Sequence, residues 1–138
     1  MEREKTLAEG AGAAAIAALL NHKLPLVGKR VAALVCGGNI DVTLLSRIIE
    51  RGLVKDGRLV RLMVMLRDRP GALARLTALV AEARANVLDI THDRTFSRAR
   101  LGETAVELTL ETSGREQIEA IKRRLREAGY AVEEVVPR

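Results

Sequence analysis

The sequence predicts an α+β protein, with a ferredoxin-like βαββαβ unit over residues 59–138 and a shorter α/β segment over residues 1–58. Three observations carry that prediction. Apolar side chains alternate at Val60, Leu62, Val64 and Leu66, and again at Val106, Leu108 and Leu110, which is the period of a strand with one buried face. They recur at helical spacing at Leu73, Leu76, Val80 and Ala83, and at Ile118, Ile121, Leu125 and Ala128. The pair Asp56-Gly57 is a turn signal that divides these patterns from a differently organised first part.

In that first part, Thr6 to Leu20 is alanine-rich and helical in propensity, weakened by Gly10 and Gly12. A loop, LPLVGK, follows. The apolar run Arg30 to Cys36, RVAALVC, is bounded by Gly28 and Gly37 and suits a buried strand. Asp41 can cap the next helix, VTLLSRIIERG, with its stop expected at Gly52.

The second part opens with a strand whose other face carries Arg61, Met63, Met65 and Arg67. Asp68 is expected as N-cap of the following helix, with Pro70 in its first turn and Gly71 allowing close approach to the backbone. VLDITHDRT reads as a strand with Leu88 and Ile90 on one face, and SRARLG as a loop into the strand ETAVELTLE. Ser113 and Glu116 form an S-x-x-E capping box for the last helix, which Gly129 stops before a final strand, YAVEEVV. This order places two helices on one face of a four-stranded antiparallel sheet. A lone domain would leave Met63 and Met65 wet on the other face, so a partner subunit or another domain is expected to cover them.

Composition narrows the function classes. Aromatics are limited to Phe96 and Tyr130, so the core is built from Ala, Leu, Val and Ile. No window approaches the ~20 apolar residues of a membrane span, and the acidic start MEREK is unlike a signal peptide, which points to the cytoplasm. One cysteine and two scattered histidines make neither a disulfide nor a zinc site. The net charge of +5 is interspersed over both parts, and the cluster Lys122, Arg123, Arg124 and Arg126 sits beside Glu119 and Glu127 as on a solvated helix face. An RNA-binding ferredoxin-like domain would need stacking aromatics on its central strands, and residues 60–66 and 105–110 have none, so no nucleic-acid partner is expected. Gly10-Ala-Gly12 lacks a preceding strand and a third glycine, so it is no dinucleotide fingerprint. His22 and His92 belong to no recognisable triad.

The turn LRDRPGALARL carries the clearest binding signal, because the first free amides of a helix form a positive end that attracts a carboxylate or phosphate. A well-capped helix and nothing more is the plain alternative. The stretch VMLRDRPGALARLTALVAEARANVLDI resembles the start of an ACT domain, a small regulatory module that binds amino acids, and the resemblance covers residues 60–136. It implies that Asp68, Gly71, Ala72 and Leu73 line an effector pocket and that Asn86 reaches the ligand across a dimer interface. Leu66 stands where some serine-binding members have a polar residue, which favours an aliphatic effector, isoleucine or valine.

Residues 6–60 resemble the end of the catalytic domain of threonine dehydratase (threonine ammonia-lyase), a fold type II pyridoxal-phosphate family. The resemblance implies that Cys36 faces the cofactor's pyridine nitrogen, with Gly37 and Gly38 keeping the loop close to the ring. Without it, Cys36 reads as a small buried apolar residue. The family's Schiff-base lysine and phosphate loop are absent, so no cofactor is expected in this chain alone, and the chain is read as an inactive, regulatory C-terminal portion of an enzyme that converts threonine to 2-oxobutanoate and ammonia. A homodimer or larger assembly through ACT domains is implied. The alternative from another class is a free-standing ACT-like dimerisation module without a ligand. Residues 1–58, cut from their sheet, are expected to be poorly ordered or buried against another copy.

Overall fold

The computed structural model describes residues 6–93 and 102–135. The expected loop SRARLG up to Leu101, the end of VLDITHDRT and the last residue of YAVEEVV lie outside them. The chain forms two compact units, Met1–Ile49 and Glu50–Arg138. Helix α2 (Val42–Lys55) runs through the division.

The first unit contains α1 (Gly10–Leu20), four residues shorter at its start than expected: it runs through Gly10 and Gly12, and it begins after Glu9, whose backbone is extended (φ −69°, ψ 169°). The expected strand at Arg30 to Cys36 does not form: residues 29–41 have neither helix nor strand. A buried strand needs a paired neighbour for its backbone groups, and no other strand lies in the described part of this unit. Its side chains stay accordingly open, Val31 at 47%, Val35 at 45% and Leu34 at 86% exposure. The loop after it is nevertheless held. Glu9 donates its amide to the Gly37 carbonyl at 2.7 Å, and a side chain at Gly12 would collide with the Cys36 carbonyl.

Asp41 caps α2 as expected, its Oδ1 accepting the Leu44 amide at 2.9 Å. The helix does not stop at Gly52, because a glycine inside a helix costs only ~1 kcal/mol. It stops where the chain turns left-handed, at Gly57 (φ +69°), with Arg58 N–H bonded to Leu53 O and Gly57 N–H to Val54 O. Thr112 fastens this turn to the sheet: its amide donates to Arg58 O at 3.0 Å and its hydroxyl to Gly57 O at 2.5 Å.

The second unit has the predicted order: β1 (Leu59–Arg67), α3 (Ala72–Glu82), β2 (Asn86–Asp93), β3 (Glu103–Glu111), α4 (Arg115–Glu127) and β4 (Ala131–Glu134). The strands lie β2-β3-β1-β4, all antiparallel. Val60, Leu62, Val64 and Leu66 pair with Leu110, Leu108, Val106 and Thr104, so both central strands turn the same face to Leu76 and Val80 of α3 and to Ile118, Ile121 and Leu125 of α4. On the opposite face Met63 and Met65 are half-buried, opposite Glu107 and Ala105.

Two local expectations need correction. Leu88 does not share a face with Ile90: a bulge between Val87 and Asp89 shifts the register, Val87 and Ile90 pack on the core, and Leu88 is left 54% exposed on an edge strand. The capping partner in front of α4 is Gln117 rather than Glu116, because the helix starts at Arg115 with Gly114 as N-cap and so puts Gln117 at the third position. Gln117 Oε1 accepts from the Ser113 amide (2.6 Å) and hydroxyl (2.9 Å), while its Nε2 donates to Ala83 O at 2.8 Å, tying the end of α3 to the start of α4.

Candidate ligand-binding site

Strand β1 ends at Arg67, and the chain must turn sharply to lay α3 back across the sheet. It does so over Asp68 to Gly71. The Asp68 amide donates to Gly102 O at 3.0 Å, the Arg69 amide to Arg67 O at 2.9 Å and the Ala72 amide to Arg69 O at 3.1 Å. Gly71 is left-handed (φ +80°, ψ −5°) and stands at the N-cap, where the sequence had suggested Asp68. Pro70 accordingly lies just outside the helix rather than in its first turn. A glycine N-cap has no side chain to cover the leading amides, so the positive end of α3 is left to other partners.

Beside this turn lies a cavity of about 160 Å³. Asp68, Gly71, Ala72 and Leu73 line it together, joined by Leu66, Arg67, Arg69 and Pro70 from the same stretch and by His92 and Thr104 from the neighbouring strands. Drug-sized ligands occupy pockets of about 300 Å³ and more, so this volume suits a small solute. Its character is mixed. Leu66 and Leu73 supply apolar wall, whereas Arg67, Asp68 and Arg69 put charge at the turn. Thr104 is buried opposite Leu66, and His92 stands opposite Val106 in the inward-facing row. The Nε2 atom of His92 is enclosed and meets no hydrogen-bond partner among the described residues.

Asn86 is placed elsewhere. It opens β2, exposed, and donates to Glu111 Oε2 at 3.2 Å, outside the cavity lining.

A family model described as the ACT domain matches residues 60–129, just over half of the 138-residue chain. The chain belongs to the ACT domain family. The matched span contains the whole β1–α3 turn and every described residue lining the cavity of this ACT unit. Over 132 residues the chain is 48% identical to the L-threonine ammonia-lyase of Thermotoga maritima, a match covering 96% of this chain and 33% of that protein. The L-threonine ammonia-lyase of Geobacter sulfurreducens is 47% identical over 133 residues, again covering 96% of this chain and 33% of its own length. The chain therefore spans about a third of the length of these curated relatives, and corresponds to their C-terminal region. Among solved structures, the ACT domain from GTP pyrophosphokinase of Chlorobium tepidum is similar at TM-score 0.46 and 16% identity, covering 56% of this chain and 96% of that one.

The other suggested site, Cys36 with Gly37 and Gly38, belongs to the first unit. Gly37 is left-handed (φ +77°), and a side chain there would press on Glu9. The Cys36 thiol is exposed rather than enclosed as a small apolar residue would be. An exposed thiol and two glycines present at most one wall for a pyridoxal ring. They supply neither an amine for a Schiff base nor a cradle for a phosphate, so the residues present do not fit a resident cofactor. Among the described residues no group of acidic, histidine or cysteine side chains could hold a metal ion, and no helix is long and apolar enough to cross a membrane.

Sequence reasoning missed His92 and Thr104 as wall residues. Both are inward-facing members of alternating strands, with His92 in phase with Ile90 and Thr104 with Val106, so counting the period to the strand ends would have turned them toward the helix layer.

Proposed function

We propose that this chain is the regulatory portion of a threonine dehydratase, and that its ACT unit binds an amino-acid effector in the cavity at the β1–α3 turn. The observation that carries this reading is the convergence of Asp68, Gly71, Ala72 and Leu73 on one cavity at the start of a helix whose N-cap is a glycine. The relatives named L-threonine ammonia-lyase support the enzyme assignment. In that setting the whole cytoplasmic enzyme, with its pyridoxal phosphate held outside this chain, converts threonine to 2-oxobutanoate and ammonia.

The apolar wall of Leu66 and Leu73 favours isoleucine or valine over a polar amino acid. The ligand's carboxylate would sit at the positive end of α3 and its side chain against the two leucines. ACT units pair with a second copy in this reading, which would finish covering Met63 and Met65 and bring Asn86 to a neighbouring site. A coupling of only ~1–3 kcal/mol between effector and catalytic domain changes affinity by roughly 5- to 150-fold, enough for feedback control. The exposed Val42, Leu44, Ile48 and Ile49 on α2 are suited to packing against the remainder of such an enzyme.

Calorimetric titration of the purified chain with isoleucine, valine, threonine and serine tests the reading. Saturable heat from a branched-chain amino acid is expected. Silence from all four would leave a dimerisation module without a ligand, and a monomer in sedimentation at micromolar concentration would remove the pairing as well.

A further inference from the structure

We propose that His92 is a specificity-determining residue of this cavity, its Nε2–H donating a hydrogen bond to the carboxylate of the bound amino acid. The inference rests on reading the cavity as the effector site, and adds to it a group from a strand that the turn motif does not contain.

Strand pairing puts His92 opposite Val106, in the row that faces the helices, and the residue lines the cavity with Thr104 and Leu66. Its Nε2 atom is enclosed and has no hydrogen-bond partner among the described residues. Nine in ten or more buried polar groups in folded proteins have a hydrogen-bond partner, and an orphan costs stability. An unpaired nitrogen on the wall of a cavity is satisfied most directly by what occupies the cavity. Imidazole carries an N–H on one ring nitrogen when neutral and on both when charged, so Nε2 can serve as a donor in either state.

The surroundings select an anion as acceptor. The start of α3 carries positive partial charge behind an N-cap glycine that makes no side-chain cap hydrogen bond, and Arg67 and Arg69 line the same cavity. Among the described residues of the lining Asp68 is the one acidic side chain, and its charge suits the ammonium end of the same ligand. A carboxylate held between the helix start and His92 directs the aliphatic part of an amino acid toward Leu66 and Leu73. The cavity is also large enough for water, which makes hydration the competing occupant.

The test uses the full 138-residue chain and its His92→Phe and His92→Gln variants, titrated with isoleucine, valine and their carboxamides. A hydrogen bond to a charged group predicts a loss of about tenfold or more in affinity for His92→Phe, with His92→Gln staying within a few-fold of wild type. Thermal stability of His92→Phe should hold or rise, since an orphaned nitrogen is removed. Wild type should prefer the acid over the carboxamide by a similar factor and His92→Phe should not, while the His92 Nε2 resonance of ¹⁵N-labelled wild type shifts at saturation. Wild-type affinity in His92→Phe, or an Nε2 resonance unmoved by saturating amino acid, overturns the inference alone and leaves a hydrated nitrogen. No binding of any amino acid by wild type overturns the effector reading and this inference with it.

Discussion

Three glycines share a left-handed backbone but not a neighbourhood, and alanine substitution separates the two effects. Gly57 (φ +69°), Gly71 (φ +80°) and Gly129 (φ +86°) all occupy the region that costs an L-residue roughly 1–2 kcal/mol. A Cβ at Gly129 would meet nothing within 4 Å, and one at Gly71 would meet only the far end of Arg75, at 4.0 Å. A Cβ at Gly57 would stand 2.7 Å from the backbone nitrogen of Arg115 and 2.9 Å from its Cγ. Since backbone cannot rotate away as a side-chain tip can, overpacking adds about 1–3 kcal/mol there. Gly71→Ala and Gly129→Ala are therefore expected to lose about 1–2 kcal/mol, and Gly57→Ala about 2–5 kcal/mol. Urea denaturation at fixed protein concentration reads the three differences. A Gly57→Ala variant no less stable than Gly129→Ala would refute the close approach of the α2 terminus to α4.

The remaining predictions concern stability. Arg84 ends α3 in a left-handed conformation (φ 56°), with Ala85 N–H bonded to Val80 O, so Arg84→Gly should raise stability by about 0.5–1 kcal/mol, and a lower urea midpoint would contradict the cap. Leu76 is fully buried between the sheet and α4, and Leu76→Ala should cost about 2–5 kcal/mol, against a change near zero if α3 does not pack there. Burial raises the pKa of Glu134, but hydrogen bonds from Arg115 (2.7 Å) and Lys122 (3.3 Å) outweigh it and leave the carboxyl below its usual value. Its stabilisation is thus present above the unfolded value of about 4.3 and is lost as pH falls through the depressed folded value. Urea midpoints from pH 6 to pH 3 should fall less steeply for Glu134→Gln than for wild type, and superimposable curves would contradict the pairing. Lys122 shows the opposite linkage: the hydrogen bond to Glu119, opposed by burial and aided by Glu134, raises its pKa, so its stabilisation holds below about 10.4 and fades as pH rises through the folded value.

The parts of this fold that the sequence disclosed are those where one period settles the matter. Val60 to Leu66 and Val106 to Leu110 alternate without interruption, and each row packs on the helical rows of α3 and α4, so local pattern and tertiary partner agree. Arg30 to Cys36 has the composition of a strand but no strand beside it in the described residues, and hydrophobicity cannot replace a missing hydrogen-bond partner. Leu88 departs from the expected alternation because the bulge between Val87 and Asp89 inserts one residue, so that Val87 and Ile90 reach the core and Leu88 does not. At the site, the turn motif announced Asp68 to Leu73 because those residues are contiguous. His92 and Thr104 come from two other strands, and only the folded register brings them to the same cavity. Gly71 replaced Asp68 at the N-cap for a steric reason: the left-handed step that reverses the chain costs least for a residue without a Cβ.

The claim on which the functional account depends is that the cavity beside the β1–α3 turn takes an amino acid. Amide chemical-shift mapping of the ¹⁵N-labelled chain during titration with isoleucine, and separately with valine, tests it most directly. The account predicts saturable shifts with at least one of the two, centred on Leu66 to Leu73, His92 and Thr104. Shifts centred elsewhere, or none with either amino acid, would contradict it.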